Sequence, residues 1–203
     1  HFDPAVTIAS TGRGDERRVT LAVEPGARAR VGRLTLDVEG DLARGAAAGD
    51  AYASGVLAEL RRYWRLPEGD TFRNPDWSDA KAAALARLRA AGYASATWAG
   101  TAAEVDARTH EVRLFLVADS GPLYRYGRLN VEGLVAHDLQ TVQHIAAFPV
   151  GEPVSESLLL DYQERLQKAG LFDSIAVTLD PDPEKAAAAT IDVRLREAPL
   201  QVW

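Results

Sequence analysis

Apolar positions along the chain fall into two kinds of pattern, alternation and helical stripes, and the two recur in a fixed order. Ala5-Val6-Thr7-Ile8-Ala9 is short and β-branched, and Val19, Leu21 and Val23 alternate within Arg18–Val23, so both stretches predict strands. Thr11-Gly12-Arg13-Gly14-Asp15 between them is turn chemistry. Leu34, Leu36 and Val38 alternate next. Val56, Leu57, Leu60, Tyr63 and Trp64 then form one helical stripe, closed by Leu66-Pro67-Glu68-Gly69-Asp70. Ser78 is the expected N-cap of a second helix that buries Ala84, Leu85, Leu88 and Ala91 and stops at Gly92. Ala94–Ala99 predicts a weak strand. Glu111–Val117 predicts a strong one, with Val112, Leu114 and Leu116 on one face.

The same order then returns. Arg128–Val131 predicts a strand, and Leu139, Val142, Ile145 and Ala146 a helix. Phe148-Pro149-Val150-Gly151-Glu152 mirrors Leu66-Pro67-Glu68-Gly69-Asp70. Ser155 caps a helix carrying Leu158, Leu159, Tyr162 and Leu166, which Gly170 stops. Ile175, Val177 and Leu179 alternate, Pro181–Lys185 and an alanine run make a loop, and Ile191, Val193 and Leu195 alternate at the end.

Identities support the repetition. Gly26, Arg30, Gly32, Arg33 and Leu34 return at one constant offset as Gly121, Arg125, Gly127, Arg128 and Leu129. Both segments run into Val-Glu-Gly, at Val38-Glu39-Gly40 and Val131-Glu132-Gly133. The unit is β-α-α-β-β. Two helices can bury their stripes on one face of a three-stranded mixed sheet, giving an α+β module. The most regular and apolar strands are the last of each unit (Arg18–Val23, Val112–Val117 and Ile191–Leu195), so the three-stranded sheet of each complete unit is expected to have its last strand at the centre. Gly40–Asp50 is the departure: an alanine- and glycine-rich stretch where a short turn is expected.

Composition narrows the function. The formal net charge of -6, with no basic run, argues against nucleic acid and against acidic lipid surfaces. No apolar run is long enough for a membrane-spanning helix. The absence of cysteine removes disulfides, thiolate zinc sites and thiol nucleophiles, and it suits an oxidising compartment. The absence of methionine suggests an excerpt of a longer precursor.

A repeated β-α-α-β-β unit opened by Gly-Arg-Leu and Val-Glu-Gly, and closed by a strand and Gly-Pro, resembles polypeptide-transport-associated (POTRA) domains. Leu166–Ile175 resembles their helix-end signature, a glycine and an aromatic leading into the second strand; Ala91-Gly92-Tyr93 and His1-Phe2 match at the same place. Such domains precede the β-barrel of the outer-membrane assembly and surface-antigen superfamily. Trp64–Phe72, Trp77, Ala80-Lys81 and Asp119-Ser120-Gly121-Pro122 are most similar to its TamA-like translocation and assembly module subunits. The resemblance implies the end of a first POTRA domain over 1–27, a second over 28–121, a third over 122–199, and the start of a linker to a membrane barrel at 200–203. It implies a periplasmic location in a Gram-negative bacterium and a non-catalytic function. The expected partners are unfolded outer-membrane protein or autotransporter clients, a TamB-like inner-membrane-anchored partner, and the chain's own C-terminal barrel, whose strands should follow Trp203. A main assembly factor of the BamA type, or a two-partner secretion transporter, keeps the fold and changes the client.

Exposed sheet edges offer unpaired backbone groups to any extended chain, which suits a component with many clients. The expected polypeptide-binding edge is Ser174-Ile175-Ala176-Val177-Thr178-Leu179. It is small and uncharged on its outward side, without proline, and free of the lysines and bulges that block pairing. The corresponding stretch of the second unit, Ala94–Ala99, is weaker and should bind less well. Gly32, Arg33, Arg125, Gly127 and Arg128 are the expected inter-domain junction. The two glycines would leave room for a neighbouring module, and Arg125 and Arg128 are either solvated or make an inter-domain contact. Other chemistry finds little support. His137 and His144 lack the further ligands that zinc requires, so no metal or cofactor is expected. Gly12 and Gly14 precede a strand and not a helix, which excludes a phosphate loop. Ser10, Ser120 and Ser174 lack a nucleophile elbow. Trp64, Trp77 and Trp98 suit a core or an interface, and an enzyme would need a site that no motif announces.

Overall fold

A computed structural model describes residues 5–11, 18–24, 28–136, 138–146 and 149–198. His1-Phe2, Gly12, Gly14, Gly26, His137 and Trp203 lie outside them, so the readings placed on those residues do too. Strands β1 (Ala5–Thr11) and β2 (Arg18–Glu24) form an antiparallel pair. The next module runs β3 (Arg30–Glu39), α1 (Asp41–Ala47), α2 (Ala51–Arg62), α3 (Asn74–Ala90), β4 (Thr97–Asp106) and β5 (Glu111–Asp119). The last runs β6 (Tyr126–Glu132), α4 (Leu139–Ala146), α5 (Glu156–Lys168), β7 (Phe172–Leu179), a 3-10 helix over Pro183–Ala188, and β8 (Ala189–Glu197).

Both complete sheets put the last strand in the middle, in the orders β3-β5-β4 and β6-β8-β7. The central strand is parallel to the first and antiparallel to its hairpin partner. This is the expected arrangement. Val112, Leu114, Leu116 and Ala118 on β5, like Ala189, Ile191, Val193 and Leu195 on β8, are buried under the helices. Each module has its own core. One gathers Leu36, Leu60, Trp64, Trp77 and Leu88; the other gathers Tyr124, Val142, Tyr162, Leu166 and Phe172. Trp64 and Trp77 meet edge to face, with ring centroids 6.1 Å apart, and Trp64 Nε1 donates to Leu66 O at 2.8 Å. They are core residues and not a ligand cage.

The repeat is reproduced down to single bonds. A bulge falls at Gly32 between Val31 and Arg33, and another at Gly127 between Tyr126 and Arg128. Arg30 donates to Gly69 O at 3.1 Å, and Arg125 to Gly151 O at 2.9 Å. Each arginine therefore straps its strand to the Pro-x-Gly turn after the first long helix. Gly40 and Gly133, which end the two Val-Glu-Gly triplets, both take positive φ, 81° and 94°.

Four boundaries differ from the sequence expectation. Gly40–Asp50 holds a helix, α1, and not a simple turn. Leu42 is fully buried, and its N–H donates to Ser120 Oγ at 3.1 Å. Gly49 at φ 78° breaks α1 from α2, and Asp50 caps α2 by accepting from Ala53 N–H at 2.7 Å. Helix α3 begins at Asn74, so Ser78 lies inside it. Pro75 suits the first turn, and Arg73 Nε donates to Asp76 at 2.7 Å there. Strand β4 extends to Asp106, well past Ala99, because its ladder with β5 outweighs the weak strand preference of its alanines. The Pro181–Ala188 loop contains the 3-10 helix, started by Asp182, which accepts from Glu184 N–H at 3.0 Å.

Candidate functional site

The connector from β5 to β6 is pinned on both sides. Asp119 accepts from Gly121 N–H at 2.9 Å, Asp41 from Leu123 N–H at 2.9 Å, and buried Ser120 donates to Gly121 O at 2.8 Å. Leu123 packs on the second module's core, while Ala94, in the turn after α3, packs on the third's. Tyr124 N–H donates to Gly92 O at 2.9 Å, and Val154 N–H donates to Tyr124 O at 2.9 Å. A cleft of about 550 Å³ beside this contact is lined by Asp41, Asp50, Tyr93, Leu123, Arg125 and Glu184. Burial pushes the Tyr93 phenol up to about 12, helped by Tyr52, Asp50 and Asp41 and opposed by Arg125. Lys168 holds the Glu164 carboxylate below its usual range, and Lys185 does the same for Asp182.

The five junction residues divide. Arg125 lines the cleft, although its guanidinium bonds within its own module. Arg128 is exposed on β6, as Arg33 is on β3. A Cβ on Gly32 would lie 3.1 Å from Glu111 side-chain atoms. A Cβ on Gly127 would lie 2.4 Å from the Ala188 carbonyl carbon, in the same module. The room that Gly127 provides therefore serves the third module's sheet. Gly92 is the glycine that faces a neighbouring module: its Cβ would lie 3.0 Å from Val154 O. Its sequence signal is that of a helix stop, and nothing in one copy of the repeat marks the second role.

Gly92 also takes φ 94°. Gly92→Ala is expected to cost ~1–2 kcal/mol through the left-handed backbone alone. It should also press the third module away and change the small-angle scattering profile. A profile identical to the parent's would mean that the close approach sets no geometry.

Ser174–Leu179 lies on β7, at the edge of its sheet. Ile175, Val177 and Leu179 are half-buried and pack on the core, while Ala176 and Thr178 are exposed. The ladder to β8 is regular from Ser174 to Leu179, and its one irregularity falls between Phe172 and Ser174. The corresponding edge of the second module is longer than expected. Thr101, Ala103 and Val105 on β4 pair with Leu116, Leu114 and Val112 on the helix-facing side, yet all three are exposed. The sequence reason for ranking this edge below β7 rests on Ala94–Ala99 and does not apply to the full strand.

His144 Nδ1 lies 3.0 Å from Gln140 O, one turn back on α4, and donates to it in the tautomer that carries the proton on Nδ1. Among the described residues, no group of His, Asp and Glu side chains is placed to hold a metal ion. No described helix is long and apolar enough to cross a membrane.

No family model and no curated protein matches the chain. Solved structures do. Haemophilus influenzae BamA POTRA3-5 is similar over 96% of this chain and 73% of that one, with 21% identity and a TM-score of 0.54. BamA from Haemophilus ducreyi lacking POTRA domains 1-3 is similar over 85% of this chain at 16% identity, with a TM-score of 0.55. The chain spans 30% of that second protein. At these identities the likeness is one of fold: the modules have the three-stranded mixed sheets and covering helices of POTRA domains.

Proposed function

We propose that this POTRA-fold chain is the non-catalytic periplasmic region of a TamA-like outer-membrane assembly factor. In this reading residues 1–27 end a first domain, 28–121 and 122–199 are the second and third, and 200–203 lead to a membrane barrel. The region holds client or partner polypeptides for insertion, assembly or secretion of outer-membrane proteins and autotransporters. Extended segments add as a further strand along Ser174–Leu179 of β7. Clients and a TamB-like partner are both served by such an edge, since main-chain pairing is largely indifferent to sequence.

The observation that carries this reading is the central place of β8, which among the described strands leaves β7 unpaired on one side, with only small, uncharged residues facing out over Ser174–Leu179. Natural edges that avoid pairing use lysine, proline, bulges or a cover. Ser174–Leu179 has none of the first three. A BamA-like main assembly factor is the second reading, favoured by the likeness to two BamA structures.

The test is a photo-crosslinking residue at Thr178 in cells, against one at Lys185 in the neighbouring 3-10 helix. Adducts with extended clients are expected at Thr178 in clear excess. Equal labelling at the two positions, with the protein folded, would count against the β7 edge.

A further inference from the structure

The other edge of each sheet is treated differently in the two modules. In the second module Leu34 N–H donates to the Glu68 carboxylate at 2.9 Å, so the outward face of β3 is capped at that residue. Helix α1 also packs on β3. The third module has the same register, bulge included: Leu34 pairs with Leu114, and Leu129 pairs with Ile191 one residue past Arg128. The Leu129 N–H therefore points outward as that of Leu34 does. Its cap is missing. The counterpart of Glu68 in the repeated Pro-x-Gly turn is Val150, which cannot accept a hydrogen bond through its side chain and is 76% exposed. Helix α4 leans on α5, and among the described residues no added helix like α1 precedes it.

A cavity of about 240 Å³ opens at this place, lined by Gly127, Arg128, Leu129, Gln143 and Val150 among others. It is smaller than ordinary small-molecule pockets, which hold about 300–1,000 Å³, and suits one large side chain. Arg128 at its rim has no carboxylate partner among the described residues, whereas β6's other exposed charge, Glu132, is paired with Arg194 at 3.4 Å. An outward N–H, an apolar hole and an unpaired cation thus meet on one short stretch of edge.

We propose that the β6 edge at Arg128–Leu129 is a second polypeptide-docking site, one that takes an extended segment carrying a large apolar residue and an acidic residue just beyond it. The segment's carbonyl accepts from Leu129 N–H, its apolar side chain enters the cavity beside Val150, and its carboxylate meets Arg128. The charge on Arg128 selects the acidic neighbour, as complementary charges at an interface do. The site is separate from the β7 edge and stands or falls independently of it. Within the repeat, Glu68 is the residue that closes the equivalent site in the second module.

The test uses the ¹⁵N-labelled chain and a synthetic peptide of alternating valine and threonine, with one central phenylalanine and a glutamate directly after it, so that the two side chains point to opposite faces as those of Leu129 and Arg128 do. The Leu129 amide should shift on titration and become protected from exchange. Val150→Glu, an exposed substitution that supplies the missing cap, should weaken binding roughly tenfold. Glu68→Val should open the β3 edge and bring the Leu34 amide into the response. Arg128→Gln should weaken binding of this peptide but not of its glutamine-substituted twin. Shifts confined to Ser174–Leu179 would overturn the second site and leave the β7 reading intact. Binding that ignores Val150→Glu, or no response at Leu129, would overturn it as well.

Discussion

Gly127→Val is expected to unfold the third module and leave the second standing. The added Cβ would lie 2.4, 2.5 and 2.7 Å from the carbonyl carbon, oxygen and Cα of Ala188. These are backbone atoms and cannot swing aside. Neither can the strands part cheaply, because Arg125 N–H donates to Ala186 O and Ala189 N–H to Arg125 O, both at 2.8 Å, which ties down the chain on either side of Ala188. Ala186 and Ala189 are also buried in the module's core. Overpacking plus the loss of these bonds costs on the order of 4 kcal/mol. That is a large share of the stability of a domain this size. Gly32→Val is the control. Its new contacts are with the Glu111 side chain, at 3.1 Å, whose carboxylate end can move, so ~1 kcal/mol is expected. Calorimetry and amide spectra should show third-module signals collapsing in Gly127→Val alone. Equal, mild losses in both variants would contradict the argument. Read as a junction glycine, Gly127 predicts instead a changed inter-domain angle between folded units. The structure points to the sheet itself, since the crowded atoms belong to Gly127's own module.

The repeat and the periodicities make most of the architecture legible in the sequence. Central strands announce themselves because a strand buried on one face and paired on both edges must be regular and apolar, as Val112-Leu114-Leu116 and Ile191-Val193-Leu195 are. Helix stops at Gly92 and Gly170 are legible because a left-handed C-terminal residue favours glycine; both take positive φ. Helix α1 is not legible. Its one fully buried residue is Leu42, and the groups that satisfy its first turn are Ser120 Oγ and Gly121 O, far along the chain. The length of β4 is hidden for a related reason: Ala102 and Ala103 have no strand preference of their own, and the ladder to β5 decides their state. The junction is legible only as a motif. That Gly127 serves its own sheet while Gly92 faces the next module depends on which backbone approaches each, and periodicity carries no such information. The contrast between Glu68 and Val150 is present in the sequence as a difference between two copies of one turn. It takes on meaning because the Glu68 carboxylate sits on an edge N–H.

Tyr124→Ala is expected to loosen the joint between the modules as well as the third core. Tyr124 is fully buried on the connector between β5 and β6. Its ring belongs to the third module's core, its hydroxyl donates to Pro181 O at 2.8 Å, and its main chain bonds Gly92 and Val154 at 2.9 Å each. One residue thus ties the end of α3, the start of α5 and the loop after β7. Truncating a buried aromatic costs ~3–5 kcal/mol. Tyr124→Phe keeps the ring and loses only the hydroxyl bond, for ~1–2 kcal/mol including the stranded Pro181 carbonyl. Neither change removes the main-chain bonds directly. In Tyr124→Ala, however, the ring no longer holds the connector in place, so the Gly92–Tyr124 contact should fray. The expected readout is a fall in the third module's melting temperature several times larger for alanine than for phenylalanine. The alanine variant alone should show an increased radius of gyration by small-angle scattering and faster exchange of the Tyr124 amide. The second module's core contains no atom of this side chain, and its amide spectrum should stay in place. Equal destabilisation by alanine and phenylalanine would show that the hydroxyl, and not the ring, holds the joint. A compact alanine variant with an unchanged Tyr124 amide would show that Leu123, Ala94 and the cap at Asp41 hold it without the ring.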